Sequence, residues 1–390
     1  CAEAVRRICS DPFESCTWPR RWKAGLTVVI PKGKISSDPK DGRGITLLPI
    51  FDKLAQRILV NRLHACGRRT ALEQAGFVPG MGALQAAAAT VAFIADRVDR
   101  KLKTVVVAMD VAKAFDRVSH DAIRAGLRRL GGDVHLDLLV KSLLADRECY
   151  VTSNGDVAGP FRVERGVPQG GVCSPFLFNA AVDPLYEELR PLGIRVGDDG
   201  GKQFDMGAAG FADDTLIVTE SIANAQQMVD ITITMLERIA CNAHPAKTQL
   251  LTFGFTRYAR QTMSIDVAGT EIRPTVSLRH LGISLTGDVD GRIVRNRDLV
   301  LRENRMAAAS AVWASAINGI AVPMHVARMS LVGGLLASAL YGSELDSLGW
   351  LPSAQGKAYC LSVLDRQFNS AVATVAGFAK RGGSRDWLCE

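Results

Sequence analysis

The chain has no C-x-x-C pair. Its nine cysteines stand singly at Cys1, Cys9, Cys16, Cys66, Cys149, Cys173, Cys241, Cys360 and Cys389, at none of the spacings that hold zinc. Reduced, structural thiols are the simplest reading. A secretory n-region and h-region are missing, and the longest apolar stretch, around Leu331 to Leu340, falls short of the ~20 residues a membrane span needs. The expectation is a soluble intracellular protein with no membrane partner, in nucleus or cytoplasm, though no clear basic import signal is present. No repeat of fixed period and no low-complexity tract stands out, so boundaries must come from changes of pattern.

What is present suits a folded protein. Of 390 residues, 47% are hydrophobic and 22% charged, ordinary globular usage that supports neither a disordered nor a fibrous class. The length allows two or three domains. Lys plus Arg outnumber Asp plus Glu by 47 to 40, and a pI near 9.0 suits a polyanionic partner without proving one. The first residue is Cys1, amid helix-like text, which gives the expectation of a larger product with further flanking domains.

A short apolar run, Leu26 to Ile30, leads into a Gly/Asp/Lys-rich loop from Lys32 to Gly44, then helical text from Leu47 to Leu63. Thr104 to Met109, TVVVAM, reads as a buried strand with Asp110 at its end. Ser119 offers an N-cap for a helix carrying Ile123, Leu127 and Leu130 on one face, and Gly131-Gly132 supplies a stop. Another helix should start at Ser174-Pro175, with Ser174 as cap and Pro184 as a kink. Two apolar pieces flank Ala212-Asp213-Asp214, a hairpin with acids at its tip. Ser221 to Ala240 reads as a helix packed on that sheet. Beyond Asp290 the text is largely helical, with Leu301 to Ile320 and Val322 to Leu340 carrying few strand signals.

Phosphodiester synthesis needs an activated 3′-hydroxyl and a neutralised leaving pyrophosphate, which two divalent ions ~3.5–4 Å apart supply when carboxylates hold them. Asp110 and Asp213-Asp214 converge if their strands are neighbours, and hard oxygen ligands of this kind favour magnesium. Each piece alone is weak, since an Asp at a strand end or an Asp-Asp pair is usually a solvated turn.

Order and context change that. AMDVAKAFDRVSH, GVPQGGVCSPFLFNAAVDPL and GFADDTLIV follow one another with a fitting strand or helix around each. They resemble the successive palm motifs of reverse transcriptases, most closely those of non-LTR retrotransposons and next those of group II introns. Upstream, LTVVIPKGK, RGITLLPIFDKLAQRILVNRL and QAGFVPGMG resemble the fingers segments and the following loop; downstream, CNAHPAKTQLL and RHLGISL resemble the last two palm motifs. The similarity runs from about Trp22 to Leu285.

The resemblance implies an α/β right-hand polymerase: fingers over 1–104, an antiparallel palm over 105–288 with some fingers elements inserted, and a helical thumb over 289–390. It implies RNA-directed DNA synthesis on an RNA template from a DNA primer or target, with deoxynucleoside triphosphates and two Mg2+ ions, Mn2+ being a substitute. Asp110 and Asp213 would bind both metals, Asp214 would complete the acidic cluster, and the Val111 main-chain carbonyl would add a ligand. Phe115 would lie beneath the incoming sugar and exclude a 2′-hydroxyl; otherwise it is an ordinary core aromatic. Lys32 and Arg43 would grip the triphosphate, a point cation beside a bidentate guanidinium. Gln169 would line the nucleotide pocket, with Gly170 allowing close backbone approach. Lys247 would near the leaving phosphate as a general acid, and Leu281-Gly282 would grip the primer end.

The chain departs from the family pattern at Gly44, where Pro is usual after the fingers Arg, and at Val78-Pro79, where Arg often follows Gly-Phe. Cys173 replaces a common Leu and Phe211 a common Tyr, both apolar swaps. Nothing resembles a ribonuclease H domain or an endonuclease, so those activities would belong to flanking sequence. Two alternatives stay open: a group II intron-type enzyme with an RNA-splicing role, and a catalytically silent RNA-binding scaffold on the same fold.

Overall fold

The structure, a computed structural model, describes residues 2–31, 42–65, 70–153, 155–196 and 204–286. The expected helical thumb over 289–390 and Lys32 lie outside the described residues. Among the described residues, no helix is long and apolar enough to cross a membrane.

Helix α1 (Ala2–Ser15) leads to strands β1 (Ala24–Pro31) and β2 (Gly42–Leu47), then to α2 (Ile50–Ala65) and α3 (Ala83–Asp99). Strand β3 (Thr104–Ala112) follows, then the short α4 (Ala114–Arg117), α5 (His120–Arg129), α6 (Val134–Leu144) and the pair β4 (Arg147–Ser153) and β5 (Asp156–Val163). Helix α7 (Ser174–Leu189), β6 (Ile194–Val196), β7 (Phe204–Met206), β8 (Ala208–Phe211), β9 (Asp214–Thr219) and α8 (Ile222–Arg238) come next. The described part ends with β10 (Asn242–Ala243), β11 (Gln249–Phe253), α9 (Arg257–Thr262), β12 (Ile265–Val267), β13 (Thr270–Ile272), β14 (Ser277–His280) and β15 (Ile283–Thr286).

The β-branched run of β3 sits at the centre. Val105, Val107, Met109 and Val111 face one apolar cluster, and Val106 faces another, the two-residue alternation of a strand covered on both sides. Helices α7 and α8 contribute Leu177, Phe178, Ala225 and Met228 to the first cluster; α3 contributes Ala87, Val91 and Ile94 to the second. Strand β9 pairs antiparallel with one edge of β3, and β8 pairs beyond β9. The other edge is shared, β11 against the first half of β3 and β10 against its end. This is the antiparallel sheet expected of an α/β polymerase palm.

A second sheet has the order β2-β1-β4-β5, with β1 and β4 parallel. It therefore joins residues on both sides of β3 in sequence. The helical text read from Leu47 begins at Ile50, because Leu47 still belongs to β2 and Pro49 disfavours helix for the residue before it. Of the basic loop, residues 32–41 lie outside the described residues, and Gly42 to Gly44 are strand.

Two element ends correct the sequence reading. Asp110 is two residues inside β3, because β10 pairs with Val111 and Ala112 and extends the ladder. Ser174 is the first helical residue of α7, with Cys173 at the N-cap; no side chain caps the first turn, and the Cys173 N–H, one of the groups a helix start leaves open, donates to Gln56 Oε1 at 3.2 Å. The helix continues through Pro184 to Leu189. Ser119 caps as expected, accepting from the Ala122 N–H, and Ser221 caps α8, accepting from the Asn224 N–H.

Gln56 belongs to a buried network. Asp52 accepts from Gln56 Nε2 (2.8 Å), Trp18 Nε1 (2.9 Å) and the Arg147 guanidinium (2.7 Å). A fully buried carboxylate is tolerated when it is paired and bonded in this way, and the network ties the segment after α1, α2 and β4 to the loop before α7.

Candidate active site

Strands β3 and β9 place Asp110 directly opposite Asp214 in antiparallel register, which brings cross-strand side chains on one face within ~4.5–5.5 Å at Cβ. Phe211 pairs with Asp214 across the β8–β9 turn, leaving Ala212-Asp213 as its two central residues, Ala212 at φ +57°. The third element is the short 3-10 turn Pro245–Lys247. His244 N–H donates to the Asp110 main-chain oxygen at 2.9 Å, and Lys247 Nζ donates to Asp110 Oδ2 at 2.6 Å. A cavity of about 170 Å³ opens here, lined by Asp110, Asp214, Thr215, Lys247, Arg279 and His280 among others.

Burial pushes Asp214 up to about 6, with the negative charges of Asp213 and Asp110 adding to the rise and Lys247 opposing it. Burial is also the main cause of the rise at Asp213; a backbone hydrogen bond and the charges of Lys247 and Arg43 act against it. The three carboxylates thus repel one another in a partly dry site, where nearby positive charge is favourable. Among the described residues, no three acidic, His or Cys side chains are drawn together into a ready metal cage. Lys247 neutralises Asp110 instead. The donors are hard carboxylate oxygens, the type that divalent Mg2+ or Mn2+ takes, so their chemistry fits such a cation.

The other expected residues are distributed around this centre. Val111 is buried on β3 opposite Ala243. Phe115, half-buried, stacks on Phe178 at 5.2 Å with an interplanar angle of 17° and meets Phe77 edge-on at 6.3 Å. Arg43 is exposed on β2 opposite Ile30, and its charge reaches Asp213. Gln169 accepts at its main-chain oxygen from Thr46 N–H (2.7 Å) and donates from Nε2 to Asp116 Oδ1 (3.3 Å). Gly170 has φ +122°, and a Cβ there would come 2.5 Å from the Thr46 oxygen, so the close approach expected of it is made to β2. A cavity of about 460 Å³ runs beside this contact, lined by Thr27, Gly44, Thr46, Asp116, Arg165 and Gln169 among others. Leu281 and Gly282, at φ +47° and +82°, form the two-residue turn of the β14–β15 hairpin, and Leu281 lines a different cavity of about 680 Å³ behind β8.

The sequence reading assigned no role to Asp116, Gln74, Arg279 or His280. Asp116 and Gln74 lie inside the motif segments above, beside Phe115 and at the head of QAGF, and that membership was the available signal. Arg279 and His280 open the segment RHLGISL but were given no role there; they reach the acidic cavity through β14 packing beside β11.

A palm sheet bearing paired carboxylates and a lysine defines the class as a polymerase palm. Residues 30–285 match the family model described as reverse transcriptase (RNA-dependent DNA polymerase), and the chain belongs to that family. Its relatives are reverse transcriptases of non-LTR retrotransposons. The chain is 32% identical over 204 residues to the Retrovirus-related Pol polyprotein from type-1 retrotransposable element R2 of Popillia japonica, covering 52% of this chain and 28% of the relative. It is 28% identical over 281 residues to the RNA-directed DNA polymerase from mobile element jockey of Drosophila melanogaster, covering 69% of this chain and 29% of the relative. The chain thus spans under a third of the length of these relatives. A solved apo telomerase from Candida tropicalis, truncated from its C-terminal domain, aligns with a TM-score of 0.47 at 11% identity, over 71% of this chain and 55% of that one.

Proposed function

We propose that this chain is the polymerising core of a non-LTR retrotransposon enzyme that copies RNA into DNA. The observation that carries the reading is the register of Asp110 against Asp214 at the mouth of one cavity, with Lys247 bonded to Asp110. Asp110, Asp213 and Asp214, with the Val111 carbonyl, would hold two Mg2+ ions, or Mn2+ in their place. When bound, these would lower the pKa of the primer 3′-hydroxyl and neutralise the leaving pyrophosphate. Lys247, bonded to Asp110, would supply a proton to the departing oxygen as general acid.

The four-stranded sheet, β4 and β5 included, is assigned to the fingers, the five-stranded sheet to the palm over 105–288, and residues 289–390 to the thumb. Arg43, with Lys32, would hold the triphosphate; Phe115, Gln169 and Gly170 would shape the sugar and base pocket. RNA template and DNA primer would be held chiefly through phosphates by Lys and Arg. Endonuclease and further nucleic-acid-binding activities would come from flanking domains, and the site of action would be the nucleus or cytoplasm.

The test is primer extension on an RNA template with Mg2+ and deoxynucleotides, beside an Asp213→Ala/Asp214→Ala double variant. Extension by the parent and none by the variant supports the polymerase. A folded parent that binds primer-template and does not extend it moves the reading to the silent scaffold.

A further inference from the structure

A buried amide lies directly behind the acidic turn. Gln74 is 2% exposed and sits in the segment 73–76, which runs along β8. Gln74 forms a parallel bridge with Gly210, Ala75 N–H donates to the Gly210 oxygen at 2.8 Å, and Gly210 N–H donates to the Glu73 oxygen at 2.8 Å. The Gln74 side chain reaches on to the turn itself. Its Oε1 accepts from the N–H groups of Ala212 (2.9 Å) and Gly76 (2.8 Å). Its Nε2 donates to the Tyr186 hydroxyl (3.1 Å) and the Ala212 oxygen (3.3 Å). All four hydrogen-bonding positions of one amide are therefore filled, and both main-chain polar groups of Ala212 are held by a single side chain.

Ala212 is the first of the two turn residues and has φ +57°, a left-handed conformation that disfavours any residue with a Cβ. The residue it precedes is Asp213. A change of backbone at Ala212 would swing Asp213 and disturb the start of β9, where Asp214 stands. The post behind the turn is itself anchored: Arg190 bonds Glu73, Asn179 Nδ2 donates to the Gly76 oxygen at 2.7 Å, and Tyr186 and Asn179 both belong to α7. Gly76 lies so close that a Cβ there would come 2.2 Å from the Ala212 nitrogen.

We propose that Gln74 is a positioning residue: by holding both main-chain groups of Ala212 in the left-handed turn, it sets where the Asp213 and Asp214 carboxylates point. This rests on the polymerase reading of the same site. Gln74 touches no reacting atom in this role; it acts through the turn.

The test uses the full chain with Gln74→Met, which keeps volume and loses the amide, Gln74→Asn, which keeps the amide and loses reach, and Gln74→Glu, which keeps an acceptor for the two N–H groups. Mn2+ affinity by electron paramagnetic resonance is measured beside single-turnover extension and primer-template affinity. Gln74→Met and Gln74→Asn should each weaken Mn2+ binding and slow the single turnover about tenfold and leave primer-template affinity within about twofold, while Gln74→Glu, which keeps the acceptor and loses the donor to the Ala212 oxygen, should fall between them and the parent. Should Gln74→Met not fold, Gln74→Asn decides. Parental Mn2+ affinity and rate in a folded variant, or an equal loss of primer-template binding, would overturn the proposal. If the parent binds Mn2+ and does not extend, the polymerase reading fails, while the Mn2+ affinities of the variants still decide Gln74. A parent that neither binds Mn2+ nor extends overturns both.

Discussion

Lys247 Nζ lies 2.6 Å from Asp110 Oδ2, although the two residues are 137 positions apart. The Asp110 side chain is 21% exposed and that of Lys247 60%, so the ammonium meets solvent on one side and the acidic cavity on the other. A lysine in that place has two possible duties, to balance charge or to deliver a proton, and kinetics separate them.

Lys247→Ala should slow single-turnover nucleotide addition about a hundredfold, within the usual range for a general acid, while nucleotide affinity changes only a few-fold. Rapid-quench extension over a nucleotide titration measures both. A loss confined to affinity would reassign Lys247 to binding.

Asp214 makes the fold itself sensitive to pH. Its folded pKa, about 6, lies above the ordinary 3.8, so the stability linked to its proton is fully present below pH 3.8 and lost as the pH rises through 6. With solvent screening at a half-buried group, about 1–2 kcal/mol of stability is at stake. In chelator, Asp214→Asn should therefore melt a few degrees above the parent at pH 7.5, with the gain gone near pH 4. Divalent cation should raise the melting point of the parent at pH 7.5 and narrow the gap. Parallel melting curves for the two proteins from pH 4 to 8 would remove the repulsion argued for the cluster.

How much of this was open to sequence follows from what sets each element. Strand β3 could be read because a β-branched run buried on both faces needs no partner to identify it. The position of Asp110 within it could not, since the last two rungs come from β10, a two-residue strand whose only warrant is the ladder it joins. The hairpin around Asp213-Asp214 was legible from its flanking apolar pieces. The parallel pairing of β1 with β4 was not, because more than a hundred residues separate strands with no local signal of each other. The cap at Ser119 is local chemistry and was found; at the start of α7 the Cys173 N–H is taken by Gln56, more than a hundred residues away, which no local signal shows.

Phe115 is packed before any nucleotide arrives. Its ring stacks on the fully buried Phe178 and meets Phe77 edge-on, so its position is fixed by packing, as a residue proposed to gate the sugar must be. Phe115→Ala should raise ribonucleotide incorporation relative to deoxyribonucleotide by about tenfold or more, since a steric gate discriminates by what it excludes. It should also cost about 2 kcal/mol of stability for a half-buried aromatic. Competition extension with both nucleotides at a single template position gives the ratio. Unchanged discrimination with the expected loss of stability would leave Phe115 a core aromatic.

Gly170 tests whether the two sheets must meet for the nucleotide pocket to form. At φ +122°, with the Thr46 oxygen 2.5 Å from where a Cβ would stand, alanine meets strain and a clash with backbone that cannot turn aside. The nearest relief is to move the loop off β2, breaking the 2.7 Å bond from Thr46 N–H to the Gln169 oxygen. Gly170→Ala should then cost about 1–3 kcal/mol and raise the KM for nucleotide more than it lowers kcat, because Asp110, Asp214 and Lys247 are held by other elements. The same clash makes Thr46→Ser an informative companion, since it leaves the backbone oxygen in place and should not rescue Gly170→Ala. Steady-state extension and thermal melting on the two single variants and the double variant provide the measurement. A nucleotide KM unaffected by Gly170→Ala in a destabilised protein would show that the Gln169 loop braces the sheets and takes no part in holding the nucleotide.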